Sequence, residues 1–286
     1  MFDFQVSAAA AEEEEAIPRT FNIPDYLEAR AINLFGSVEN ARGSLSDIQT
    51  LALSNVTLRM TQLKEDNSIA RLRQEMSGDT YNIHKCSMKP LVIDVGANIG
   101  DVSIAIAMIR PRAQVIAIEA LPLLGFVIRM NMYLNNVPEI RFQDIGIVDK
   151  HGIYVINSAV RRRGVRNARM KFSKSMTQNA GFDDSSSNKS VVITDAISMR
   201  NLVESIQLPI DLLKMDCEGC EFEAISDLHG HFLNKTKIRK FAAEFHLSLL
   251  SPHERTYVKK PNKLEIRDTL ALMKKRDCPI DWRTYC

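Results

Sequence analysis

Residues 90–100 constrain this chain more than any other stretch. Pro90 is followed by Leu91-Val-Ile-Asp-Val95, an apolar run with one embedded acid, and then by the glycine-rich turn Gly96-Ala-Asn-Ile-Gly100. A run without polar alternation is what a strand buried on both faces requires, and such strands belong to parallel sheets. Gly96 and Gly100 let the backbone bend tightly and let a ligand approach with no Cβ in the way. A helix pattern follows to Ile109 and stops at Arg110-Pro111. Val115–Ile118 is a second buried strand, ending at Glu119. Strand, glycine turn, helix, strand and acid together make half of an open α/β sheet, whose ligand crevice lies beyond the carboxyl ends of the strands.

The rest of the chain continues the alternation. Helix is predicted from about Leu123 to Leu134, broken by Asn135-Asn-Val-Pro138, with a third strand over Ile140–Phe142 and a turn at Asp149–Gly152 leading into a hairpin strand, Ile153–Ile156. Further elements are expected as a helix near Ala196–Ile206, a strand Leu212–Met215, a helix from about Glu221 to Leu228 and a strand Phe241–Phe245. A helix Leu264–Lys274 and a last strand near Cys278–Trp282 close the pattern. The expected fold is α/β, a Rossmann-like doubly wound and mostly parallel sheet. Three regions are expected along the chain. Residues 1–20, with Ala8–Ala11 and Glu12–Glu15, are a low-complexity tail. Residues 21–88 are a helical extension, opened at Pro24-Asp25 and again at Ser44-Leu-Ser-Asp47, which packs on the main domain or pairs two copies as a homodimer. Residues 89–286 are the main domain, interrupted at 158–190 by an insertion rich in Arg and Ser and read as a long loop.

Charge and composition narrow the classes of function. A net charge of +2 in 286 residues argues against a nucleic-acid binder held by charge alone. Arg161-Arg-Arg163, Arg166 and Arg169 offer a clamp for phosphate or an acidic sugar, but without interleaved aromatics they read first as a solvated loop. No apolar run is long enough to span a bilayer, and Met1-Phe-Asp-Phe4 lacks the basic start of a signal peptide, so a cytoplasmic protein is expected. Five scattered cysteines fit a reducing compartment. Cys217-Glu-Gly-Cys220, with no second pair, reads as two small thiol side chains at a tight turn rather than a zinc or redox site.

Glu119, nineteen residues beyond Gly100, can accept both ribose hydroxyls of a nucleoside bound over the turn. Dinucleotides and S-adenosylmethionine both use such a crevice. The loop is Asp94-x-Gly96-x-x-x-Gly100 rather than Gly-x-Gly-x-x-Gly, with less provision for a pyrophosphate and with an acid before the first glycine. Both features favour S-adenosylmethionine, with Asp94 orienting the loop or a water that faces the ammonium group.

Val92-Ile-Asp-Val-Gly-Ala-Asn-Ile-Gly100, Asp211-Leu-Leu-Lys-Met-Asp-Cys-Glu-Gly-Cys-Glu221 and Glu244-Phe-His246 resemble the FkbM-type methyltransferases, over about Val92 to Trp282. The resemblance implies a class I methyltransferase fold, S-adenosylmethionine as donor and O-methylation of a sugar or secondary metabolite. It implies that Gly96, Asn98 and Gly100 form the cofactor loop, that Glu119 is the ribose acid and that Asp144 lies beside the adenine. Ala97, Ala120 and Ile145 are counted with them. Three features depart from the family pattern: the cysteines at 217 and 220, the insertion, and an end after one late strand.

Chemistry on the acceptor side is expected from Asp216, Glu218, Glu244 and His246. Asp216 ends a central strand and should face the cofactor, while Glu244 and His246, two apart, point to one face of the next strand. Asp216 or His246 serves as general base, or the four hold a hard divalent metal ion that acidifies a hydroxyl. The expected activity is O-methylation of a small-molecule or glycan hydroxyl. RNA 2′-O-methylation is a rival that the absence of a Lys-rich tetrad argues against; a donor-binding module without turnover is another.

Overall fold

The computed structural model describes residues 22–53, 56–64, 66–77, 81, 83, 86–137, 140–143, 145–148, 152–161, 164–165, 169–172, 189–217, 220–221, 224 and 238–243. The chain enters through two helices, α1 (Asp25–Phe35) and α2 (Val38–Ser44). Gly36 ends α1 in the left-handed region, and Ser37 caps α2 by accepting the Asn40 N–H. An antiparallel hairpin follows, β1 (Gln49–Leu53) and β2 (Val56–Met60), and then α3 (Ser68–Ser77). The hairpin corrects the all-helical reading of this extension. Leu51, Leu53, Leu58 and Met60 are buried while Ala52, Thr57 and Arg59 between them are exposed, and a period of two is a strand's, not a helix's.

The main sheet is built from β3 (Leu91–Val95), β4 (Gln114–Ile118) and β5 (Arg141–Gln143), linked by α4 (Asp101–Ile109) and α5 (Pro122–Asn135). Pro122 starts α5 at a position where its missing N–H costs nothing, and Asn136 ends it in a left-handed conformation. The chain then makes β6 (Ile145–Val148), β7 (Gly152–Arg161), β8 (Gly164–Val165), β9 (Arg169–Phe172) and β10 (Lys189–Ser198). It returns through α6 (Met199–Ser205) to β11 (Leu212–Met215) and β12 (Phe241–Ala243). The order β12-β11-β3-β4-β5 is parallel throughout. Strand order reverses between β3 and β11, and the crevice of a Rossmann-like sheet opens at that point. A second sheet runs β6-β10-β7-β8, with β9 also on β7. Where described, the insertion is therefore laddered strand rather than loop: β10 pairs β7 from Lys189↔Ala159 to Ala196↔Gly152. Backbone pairing of this kind needs no apolar run, so the polar sequence concealed it.

Two cores clamp the parallel sheet. On one face Val92, Ala117 and Leu212 join Ile104 and Phe126 of the crossover helices and Leu27, Ala31, Leu51, Leu58 and Met60 of the extension. On the other, Ile93, Val95, Leu213 and Met215 pack with Met199, Val203 and Phe241. Phe35 meets Phe126 edge-on, with ring centroids 5.4 Å apart. Asn135 and Asn131, one helical turn apart on α5, extend the ladder of β2. Asn135 bonds the N–H and C=O of Arg59 (2.9 and 2.7 Å), and buried Asn131 does the same for Thr61 (2.8 and 2.9 Å). The amides thus satisfy an edge that would otherwise be unpaired.

Residues 1–20, the helix expected at 264–274 and the strand at 278–282 lie outside the described residues; of the helix expected at 221–228, Glu221 and Ala224 are described and helical.

Candidate active site

The last carbonyl of β4, Ile118 C=O, accepts the N–H groups of both Gly96 and Ala97 at 2.9 and 3.0 Å, which folds the turn back across the sheet's rim. Gly96, Asn98 and Gly100 all have positive φ, +74°, +53° and +79°. A Cβ on Gly96 would land on the Asp216 carbonyl oxygen, so the turn after β3 and the turn after β11 are in direct contact. One on Gly100 would press on Ile128 at 3.2 Å, so the start of α4 packs closely on α5.

Asp94 lies under this turn, fully buried. Its Oδ2 accepts the Ser103 hydroxyl at 2.7 Å and its Oδ1 faces the Lys214 ammonium at 2.9 Å. Lys214 Nζ also donates to Gly96 C=O at 3.2 Å. An ion pair placed there holds the turn from below. Sequence reasoning missed Lys214, although a charge inside the apolar run Leu212-Leu-Lys-Met215 is itself a signal, because a buried ammonium needs a partner.

Glu119 stands at the end of β4, 8% exposed. Its Oε2 accepts the Asn98 N–H and its Oε1 the Leu121 N–H, each at 3.0 Å. Burial pushes its carboxyl up to about 7; the backbone donors at Leu121 and Asn98, the Lys214 charge and the Ala120 backbone pull the other way without cancelling that effect. Asp216, half-buried, donates its N–H to Val95 C=O at 3.0 Å at the end of β11. Beyond it, fully buried Glu221 accepts the Cys217 N–H at 2.8 Å and closes the turn into the next helix.

Cys217 and Cys220 form a disulfide, which corrects the reading of two thiols. The turn brings their Cα atoms to 5.5 Å, inside the range a bridge spans, a distance the spacing alone does not reveal. Cys86 is outside any disulfide, and its Sγ accepts a hydrogen bond from Lys240 Nζ at 3.6 Å.

Asp94, Gly96, Ala97, Asn98, Gly100, Glu119, Ala120 and Asp216 therefore gather at the carboxyl ends of β3, β4 and β11. Ile145 opens β6, opposite Asp195 of β10. Asp144, Glu218, Glu244 and His246 lie outside the described residues. No group of three His, Cys, Asp or Glu suited to a metal ion occurs among the described residues, and three of the four ligands expected from sequence are not among them.

A family model, the methyltransferase FkbM domain, matches residues 94–275, well over half of the chain. The chain belongs to the FkbM methyltransferase family. Its parallel sheet with crossover helices is the Rossmann-like, class I fold of such enzymes, and the protein is a methyltransferase. In this FkbM methyltransferase the match opens at Asp94, under the turn, and leaves the extension before it uncovered. Comparison with curated proteins and with solved structures gave no match. Among the described residues no helix is long and apolar enough to cross a membrane.

Proposed function

We propose that this methyltransferase uses S-adenosylmethionine as donor and methylates a hydroxyl oxygen of a sugar, glycoconjugate or small metabolite, with Asp216 as the acceptor-side base. The contact between Gly96 and the Asp216 backbone carries the reading, because it sets that acid on the same rim as the turn and Glu119. The residues fit such a donor. Glu119 offers a carboxylate at the strand end, and the left-handed turn leaves backbone beside it with no side chain at 96 or 100. When bound, the donor supplies a methyl group activated by a sulfonium charge. The chain's own part is then alignment and a proton. Glu119 receives the ribose hydroxyls, the turn fixes the approach, and an Asp216 carboxylate oxygen takes the proton of the acceptor hydroxyl. Positioning contributes up to roughly 7–11 kcal/mol in the best cases, and a general base a factor of about 10²–10⁴.

Tritiated donor incubated with cell extracts and a glycan panel tests this, with Asp216→Asn beside the wild type. The variant should bind donor within about twofold and lose transfer by roughly 10²–10⁴. Undiminished transfer removes Asp216 from the mechanism, and label found only on nitrogen overturns the oxygen assignment.

A further inference from the structure

We infer that Ser68, in the extension and outside the span that the family model covers, is a positioning residue for the donor site and acts through Asn98; this rests on the donor reading above. Asn98 is held at φ +53°, a conformation that is uncommon without glycine, and its N–H must point at Glu119 Oε2. Its side chain supplies the restraint. Asn98 Nδ2 donates to Ser68 Oγ at 2.8 Å, and Ser68 is 1% exposed. The Ser68 hydroxyl donates onward to Asp66 Oδ1 at 2.9 Å. That carboxylate oxygen also accepts the N–H groups of Asn67 and Ser68, at 2.6 and 3.2 Å.

The direction of this chain of bonds is set by chemistry. A carboxylate can only accept, so the one hydroxyl proton of Ser68 goes to Asp66 and the oxygen is left as an acceptor towards Asn98. The Arg71 guanidinium, at 3.5 Å, is a further donor to the same oxygen. The Asn98 amide therefore has one orientation, nitrogen towards Ser68. Asp66 is anchored in turn: Gln62 Nε2 donates to its carbonyl at 2.6 Å and Gln62 Oε1 accepts the Ile69 N–H at 3.0 Å. The start of α3 thus holds the left-handed residue whose N–H orients Glu119.

Calorimetric donor affinity in a double-mutant cycle tests this. Ser68→Ala should weaken S-adenosylmethionine about 3–10-fold and raise its KM by the same factor, with kcat within about twofold. Asn98→Gly keeps the left-handed backbone without the side chain, tests the same bond from its other end and should weaken donor at least as much. In the Asn98→Gly background, Ser68→Ala should have no further effect, since its partner is gone. Additive losses would mean that Ser68 merely supports α3, and an unchanged affinity in Ser68→Ala would mean that it does not act on the site; either overturns the inference. Wild type that ignores the donor would instead sink the donor reading itself.

Discussion

A carboxylic acid that titrates near neutrality accepts hydroxyl protons well only on the alkaline side of its pKa, and Glu119, pushed to about 7 by burial, is such a group. Its folded value lies above the ordinary 4.5, so the fold favours the protonated form. The stability this confers is complete below about pH 4.5 and is lost as pH rises through about 7. On the proposed donor reading, donor binding has the opposite sign, because a ribose held by Glu119 would need the carboxylate. Donor affinity should therefore fall as pH drops below about 7, by up to roughly tenfold per unit, while Glu119→Gln should bind weakly and without this slope. Calorimetry from about pH 6 to 8 checks it. A wild-type affinity flat across that window would separate Glu119 from the ribose.

At the scale of elements, the charge inside β11 invites a direct test. Lys214→Met removes the ammonium but leaves the Asp94 carboxylate buried, with Ser103 as its remaining hydrogen-bond donor in this cluster. Breaking one side of a buried pair costs about 3–5 kcal/mol, so urea midpoints should fall accordingly; a melt that overlays the wild type would show that the pair contributes little. The same elements show what a reader of the sequence can and cannot see. β3, β4 and β11 were legible because strands covered on both faces are written as apolar runs, and the turn was legible because Gly96 and Gly100 stand where a side chain would collide. The β1–β2 hairpin was written too, in the alternation of Leu51, Leu53, Leu58 and Met60, but helix flanks it on both sides and the period was misread. Of the β7–β10 ladder only the apolar start Ile153–Ile156 was legible, its polar continuation past Asn157 was not, and the Cys217–Cys220 bridge depends on a turn geometry that composition does not encode. Asn98 to Ser68 and Asn131 to Thr61 are bonds across 30 and 70 residues, for which no local pattern exists.

For the whole molecule, the extension is part of the fold. Ile23, Leu27, Ala31, Leu51, Leu53, Leu58, Met60, Ile69 and Leu72 are buried in the cluster that includes Val92, Ile104 and Phe126. At about 1.5–3 kcal/mol for each large apolar side chain, their burial is as large as the 5–15 kcal/mol by which a typical domain is stable. A chain beginning at Lys89 should accordingly lose its cooperative thermal transition, as followed by near-ultraviolet circular dichroism; a sharp melt would show that the sheet stands without its cover. The abutment of Gly96 on Asp216 has a different reach, one that matters to anyone redesigning acceptor choice. Grafted segments after β11 must reproduce the main-chain path at 216–217 or they will strike the glycine turn at Gly96. Under the proposed function the acid at 216 must stay as well, so a foreign loop transplanted there has to keep both that backbone and that side chain, or it would displace the turn at Gly96 and lose transfer with it.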